Sequence, residues 1–166
     1  SVTIPGSVRS IGDGAFSESW SLQTVTISEG VTSIGSGVFK FSKSLTSVTL
    51  PASLTSIDEN PFSYCSQLTE INVSPENSEF SSVDGILYTK NLDKIIAYPG
   101  GREGDFIVPD SVEDIGISAF EGCKELNSVT ISGNVRTISD RAFSGCSSLQ
   151  EIEIPEGVTS IGDNAF

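Results

Sequence analysis

Leu22-x-x-Val25-x-Ile27-x-x-x-Val31-x-x-Ile34-Gly35-x-x-Val38-Phe39 decides the fold, because the chain keeps repeating it. The copy that starts at Leu149 keeps Ile152, Ile154, Val158, Ile161, Gly162 and Phe166, with Ala165 where Val38 stands. Its inner triplet occurs seven times, as Val2-Thr3-Ile4, Val25-Thr26-Ile27, Val48-Thr49-Leu50, Ile71-Asn72-Val73, Phe106-Ile107-Val108, Val129-Thr130-Ile131 and Ile152-Glu153-Ile154. The steps between triplets are 23, 23, 23, 35, 23 and 23 residues. A fixed period of about 20–50 residues marks a solenoid, in which each copy is one coil stacked on the next.

Columns of the repeat are apolar in nearly every copy. Leu45, Leu68 and Leu126 share the first position, Val8, Leu54, Val112 and Val135 the fourth, and Ile11, Ile57, Ile115 and Ile138 the fifth. Phe16, Phe62, Phe120 and Phe143 hold the last. Stacking therefore aligns like with like and removes the apolar edge that a lone coil would expose to water. Residues 1–166 are expected to form one elongated domain of about seven coils, with an irregular unit at 71–105.

The alternation in Val25-Thr26-Ile27 predicts a short strand, and successive coils place such strands side by side in a parallel sheet at about 4.8 Å spacing. Seven strands would span about 29 Å. Val31 and Ile34, three apart before a glycine, fit a second short strand or an irregular turn. The Ala-Phe that follows, with Asp13, Asp140 or Asp163 ahead of it, predicts one helical turn with an aspartate N-cap. Pro5, Pro51, Pro109 and Pro155 close four strands where a missing N–H does least harm.

The 35-residue step has its own text. Phe80-Ser-Ser-Val83-Asp-Gly85-Ile-Leu-Tyr88 and Leu92-Asp-Lys-Ile95-Ile-Ala-Tyr98-Pro99 are β-rich runs joined by Thr89-Lys90-Asn91, which predicts a hairpin protruding near the middle of the stack. Gly100-Gly101-Arg102-Glu103-Gly104 reads as a flexible return loop. The unit loses the Ile-Gly…Ala-Phe signature.

Twenty-two acidic residues against nine basic ones give a net charge of −13, which argues against nucleic acid and anionic membrane surfaces as partners. No apolar run is long enough to span a bilayer, and none of these residues reads as a signal peptide, which says nothing against secretion of a longer protein. The chain opens inside a strand at Ser1 and stops part-way through a unit at Phe166, so it is expected to be a piece of a longer protein.

No histidine is present, which excludes Ser-His-Asp and Cys-His catalysis. Cys65, Cys123 and Cys146 share one column, three residues after the Phe. One complete coil separates Cys65 from Cys123, too far for a disulfide, and Cys123 and Cys146 should lie parallel rather than converge. They are expected to be buried free thiols in a small apolar slot that serine fills elsewhere. A zinc site would want converging ligands and histidine. Asp13, Glu59, Asp140 and Asp163 could form a calcium ladder, but Ser36 and Ile117 interrupt it and helix capping accounts for the rest. No catalytic, cofactor or metal residues are expected.

These motifs resemble the BspA-like branch of the leucine-rich repeats, whose units carry a Leu-x-x-Ile-x-Ile-Pro strand followed by Ile-Gly-x-x-Ala-Phe-x-x-Cys. Ile154-Pro155, Ser160-Ile161-Gly162-Asp163-Asn164-Ala165-Phe166 and Ala142-Phe143-Ser144-Gly145-Cys146 carry the match. The departures are Val38 and Pro61 for the Ala, Asp58 and Ser139 for the Gly, and Ser19 and Ser42 for the Cys. The resemblance implies a leucine-rich-repeat solenoid: a right-handed curved slab with a parallel sheet on one face and short, 3-10 or helical turns on the other. It also implies a bacterial cell-surface or secreted protein of the adhesion type, with no shared catalytic residues, and an Asp-Gly-Ile-Leu-Tyr…Tyr-Pro insert that is structural.

The outward strand residues Thr3, Thr26, Thr49, Asn72, Ile107, Thr130 and Glu153 should form one row across the sheet, flanked by Thr24, Ser47, Glu70, Ser128 and Glu151. Candidate partner-binding residues are therefore Thr26, Thr49, Asn72, Thr130 and Glu153, with Tyr88 and Tyr98 of the insert as possible anchors. The expected function is non-catalytic binding of a protein or glycan, by a monomer that neither enters membranes nor binds nucleic acid. The alternative is a structural spacer that displays other domains.

Overall fold

Inward apolar residues spaced two apart can stack only if each coil returns to the same place one period later. The computed structural model, which describes residues 1–166, is built that way. The first coil holds β1 (Val2–Ile4) and β2 (Ser10–Ile11), the second β3 (Thr24–Ile27) and β4 (Ser33–Ile34), and the third β5 (Ser47–Leu50) and β6 (Ser56–Ile57). The fourth and longest holds β7 (Glu70–Val73), β8 (Phe80–Val83), β9 (Ile86–Thr89) and β10 (Lys94–Ala97). The last three hold β11 (Gly104–Ile107) with β12 (Asp114–Ile115), β13 (Leu126–Thr130) with β14 (Thr137–Ile138), and β15 (Glu151–Glu153) with β16 (Ser160–Ile161). No helix forms, and so none is long and apolar enough to cross a membrane.

Pairing follows the 23-residue period. Val2, Val25, Val48 and Ile71 stand in register across β1, β3, β5 and β7, all parallel. The Val31/Ile34 segment is a second short strand: β2, β4 and β6 pair in parallel through Ile11, Ile34 and Ile57. The four prolines all follow their strands, as read from the sequence.

The predicted helical turn does not form. Residues with positive φ flank it on both sides: Gly14 (60°) and Glu18 (58°), Gly37 (58°) and Phe41 (62°), Ser118 (56°) and Gly122 (79°), Arg141 (55°) and Gly145 (73°). Left-handed residues four apart leave no room for a right-handed turn. The amides are used between coils instead: Phe16 N–H donates to the Val38 carbonyl, Phe39 to Pro61 and Phe120 to Ala142, each at 2.8 Å. The aspartates act between coils as well. Asp13 Oδ1 accepts the Ser36 N–H at 2.9 Å, and Asp140 Oδ1 the Asp163 N–H at 2.8 Å. They cap the neighbouring coil, not their own.

A larger correction concerns the middle. The expected seven-stranded sheet is two sheets, β1-β3-β5-β7 and β11-β13-β15, because the insert separates β7 from β11. It does not protrude. The run from Phe80 to Tyr88 folds back on itself at Asp84-Gly85, both with positive φ, as a two-residue hairpin turn requires. A second hairpin, through Lys90 to Asp93, joins β9 to β10. All of Ile86, Leu87 and Tyr88 are buried: Leu87 belongs to the apolar core of the first coils, Ile86 and Tyr88 to that of the last. Strand β9 is thus a partition between two cores. The Gly85 carbonyl covers the open edge of β7 by accepting the Ile71 N–H at 2.9 Å.

The insert then rejoins the repeat. Ile95 pairs with Ile115, and Tyr98 takes the place of the column phenylalanine, its N–H on the Ala119 carbonyl at 2.8 Å. The supposed return loop is pinned: Gly100 is buried, Gly101 N–H donates to the Leu68 carbonyl at 2.8 Å, and Gly104 opens β11.

Candidate functional site

Side chains that alternate out of a strand face solvent in line with their neighbours. On the first sheet Thr3, Thr26, Thr49 and Asn72 form such an exposed row, with Thr24, Ser47 and Glu70 beside it. On the second sheet the rows are Ile107, Thr130, Glu153 and Asp105, Ser128, Glu151. The seven outward residues are therefore two groups interrupted between Asn72 and Ile107.

The two halves differ in charge. Within its strands the first sheet carries one acid, Glu70, whose Oε2 accepts from Asn72 Nδ2 at 3.4 Å. The second carries Asp105, Glu151 and Glu153 and no base. Ser128 Oγ donates to Asp105 Oδ1 at 2.8 Å. A shallow hollow of about 370 Å³ lies over β13 and β15, lined by Ser128, Thr130, Glu151 and Glu153. Beside it Ile107 is 72% exposed. The face can hold a partner by hydrogen bonds and charge; no acid–base or nucleophile–base pair is organised on it.

Threonines that bond other coils lie at the corners instead. Thr32, Thr46, Thr55 and Thr69 each donate to a carbonyl 23 residues earlier, at 3.0–3.3 Å.

Tyr88 and Tyr98 are not surface anchors: they are 3% and 4% exposed. Tyr98 begins a ring stack through Phe120 and Phe143 to Phe166, with centroids 4.9, 4.8 and 5.6 Å apart. Arg102 lies 5.7 Å from the Tyr98 ring centroid and donates to the Asp84 carbonyl. Burial pushes the Tyr88 hydroxyl up to about 12 and raises Tyr98 as well, while the nearby Arg102 cation pulls both the other way.

A different aromatic pair, missed in the sequence, reaches the surface. Phe41 and Tyr64 stack at 4.7 Å on the turn face, both half-buried and with φ near +60°. Lys40 Nζ lies 5.6 and 5.5 Å from the two centroids. The signal was present: Lys40-Phe41-Ser42 and Ser63-Tyr64-Cys65 align with Glu121-Gly122-Cys123 and Ser144-Gly145-Cys146, so aromatics stand where other coils put glycine. Tyr64 needs those glycines, because a Cβ on Gly122 would sit 2.4 Å from its Cδ1.

The three cysteines are free thiols, two buried and Cys146 half-buried. Cys65 and Cys123 lie within the two apolar cores, as expected, but each slot also offers a carbonyl acceptor. Cys65 Sγ donates to the Phe39 carbonyl at 3.0 Å and Cys146 Sγ to Phe120 at 3.1 Å, just as Ser42 Oγ donates to Phe16 at 3.0 Å. Burial, and then the hydrogen bond to Cys146, raises the Cys123 thiol; that same bond lowers Cys146.

A family model described as the BspA type leucine-rich repeat region matches residues 1–99 and 104–166 in six copies. The structure of the pneumococcal vaccine antigen PcpA is similar with a TM-score of 0.86 over 96% of this chain and 46% of that one; at 24% identity the likeness is one of fold. A leucine-rich cell surface protein from Faecalibacterium prausnitzii is 34% identical with a TM-score of 0.75, over 99% of this chain and 50% of that one. The leucine-rich repeat protein TpLRR from T. pallidum is 29% identical with a TM-score of 0.60, over 97% and 72%. The chain thus spans about half the length of the first two. No curated protein matches it. With the repeat covering nearly every residue and the coils stacked as the repeat requires, the chain belongs to the BspA-type leucine-rich repeat family.

Proposed function

We propose that this chain is a non-catalytic recognition module of a bacterial cell-surface or secreted protein, holding a protein or glycan partner on its strand face. The carrying observation is the pair of exposed, in-register side-chain rows, each backed by a buried core. A rigid sheet loses little conformational entropy when a partner docks, so more of the contact energy appears as affinity. Support for a surface location comes from the Faecalibacterium relative, described as a cell surface protein. A net charge of −13 favours basic or uncharged partners over nucleic acid and anionic bilayers.

The test is a binding screen of the purified chain against immobilised matrix proteins, mucins and glycans. Hits are repeated with Thr49→Lys plus Asn72→Lys and, separately, Glu151→Lys plus Glu153→Lys. Saturable binding that one folded double variant loses by about tenfold or more assigns the partner to that half of the face. Binding that survives both variants places the partner off the strand face, and no binding at all leaves a spacer that displays other domains.

A further inference from the structure

On the second face each later coil hands amides to the carbonyls of the coil before it. Gly35 N–H donates to Ile11, Asp58 to Ile34, Gly116 to Ile95, Ser139 to Ile115 and Gly162 to Ile138, at 2.8–3.1 Å. The series fails once. Strand β6 is the last of its sheet, and the carbonyls of Thr55 and Ile57, which occupy the acceptor positions, receive no protein hydrogen bond. The insert has turned inward as the partition, so no strand lies on that edge.

Beside the edge is a cleft of about 190 Å³, walled by Ile57, Phe80, Ile96 and Ile117. A cavity of about 150 Å³ can hold benzene, so one branched aliphatic side chain fits. Thr89 and Lys94 connect the cleft to a polar hollow of about 250 Å³. Around the two, five carboxylates (Asp58, Glu59, Asp93, Glu113, Asp114) face one lysine of the lining, Lys94. Lys94 pairs with Asp114 at 2.7 Å, and Arg141 with Glu59 at 3.4 Å. Asp58, Asp93 and Glu113 have no cationic partner.

An open strand edge, an apolar cleft and unpaired acids each ask for a different part of one ligand. We propose that this seam binds a short extended segment of a partner protein in which aliphatic and basic residues alternate. Its amides pair with the Thr55 and Ile57 carbonyls, extending the sheet by one strand. Alternation points its aliphatic side chains inward, in line with Ile57, and its Lys or Arg side chains outward, in line with Asp58. The site is separate from the strand face and does not depend on it.

The probe is a fluorescent, acetylated Lys-Val-Lys-Val-Lys peptide, with an N-methylated version that keeps its charge but lacks the amide donors. Saturable single-site binding of the first and at least about tenfold weaker binding of the second are expected, because N-methylation removes only the edge pairing. Asp58→Lys plus Glu113→Lys should weaken binding by a similar factor, whereas Glu151→Lys plus Glu153→Lys, the same charge change on the strand face, should alter it by less than about twofold. The proposal is overturned if the N-methylated peptide binds equally well, if both charge variants weaken binding alike, or if the first peptide does not saturate. Should the Asp58 and Glu113 variant fail to fold, the peptide comparison on the unaltered protein decides alone. The strand-face screen reads other ligands and does not touch Asp58 or Glu113, so either reading can fail without the other.

Discussion

A hydroxyl and a thiol are interchangeable at the end of the turn face because each gives one proton to a carbonyl of the coil before. Ser42 does so to Phe16, Cys65 to Phe39 and Cys146 to Phe120. Cys65→Ser should therefore change stability by under about 0.5 kcal/mol, whereas Cys65→Ala removes one of the two donors to the Phe39 carbonyl, leaving the Ser42 N–H, and should cost about 0.5–1.5 kcal/mol in urea unfolding. Burial pushes the Cys65 thiol from 9.0 up to about 12. A raised folded-state value means that its contribution is complete below about pH 9 and is lost as pH climbs toward 12. Tyr88, raised from 10.0 to about 12, acts in the same direction. The urea midpoint should fall across that window, and Cys65→Ser should fall less; an equal fall in both would deny the thiol this role. The column of Ser and Cys was legible in the sequence, but its carbonyl acceptors were not, since the shared feature is a proton donor and not a volume.

Elements carry the irregular middle of the chain, and Asn77 is where the irregularity starts. It stands 23 residues after Leu54, in an aliphatic column, yet is 1% exposed. Its Nδ2 donates to the Pro51 and Leu54 carbonyls at 2.8 and 2.9 Å, and its Oδ1 accepts the Glu79 and Phe80 amides at 2.8 and 2.7 Å. One side chain closes the ladder of the third coil and launches β8. Asn77→Leu restores the aliphatic column but leaves the Leu54 carbonyl and the Glu79 and Phe80 amides without that partner, and the Pro51 carbonyl with only the Leu54 N–H at 3.4 Å. Despite the gain in hydrophobicity it should destabilise by about 2–4 kcal/mol in urea unfolding; a neutral or stabilising result would show the column outweighing the bonds. Gly85 after Asp84 announced a hairpin in the sequence, but periodicity merged Phe80 to Tyr88 into one strand. Burial of β9 on both faces depends on two cores it touches only after folding.

Across the whole molecule, two stacks meet at a seam that the turn face closes. Tyr64 N–H donates to the Glu121 carbonyl at 3.1 Å, and Asn60 Nδ2 to the Ser118 carbonyl at 2.8 Å. Lys40 Nζ lies 3.4 Å from both oxygens of Glu121, whose side chain is 8% exposed. Lys40→Met keeps the stem but leaves that carboxylate buried without its cation. The cost should be about 1–3 kcal/mol, held down because the Lys40 side chain is itself 33% exposed. Thermal unfolding measures it, and hydrogen exchange should show the loss of protection concentrated at Tyr64 and its neighbours. Uniform loss along the chain would mean that the pair does not act at the seam.

The 23-residue spacing by itself determined the coils, their register, the first strand face and the inward columns, because stacking a coil on its copy satisfies every position through an identical neighbour. It also placed Thr26, Thr49, Asn72, Thr130 and Glu153 on the exposed strand face, where the structure has them. Only the tertiary structure decided that this face is two sheets, that Tyr88 and Tyr98 are core residues, and that β6 has an open edge. Those outcomes rest on residues such as Lys40 and Glu121, 81 positions apart and brought together by a coil that lacks a copy of itself to stack upon.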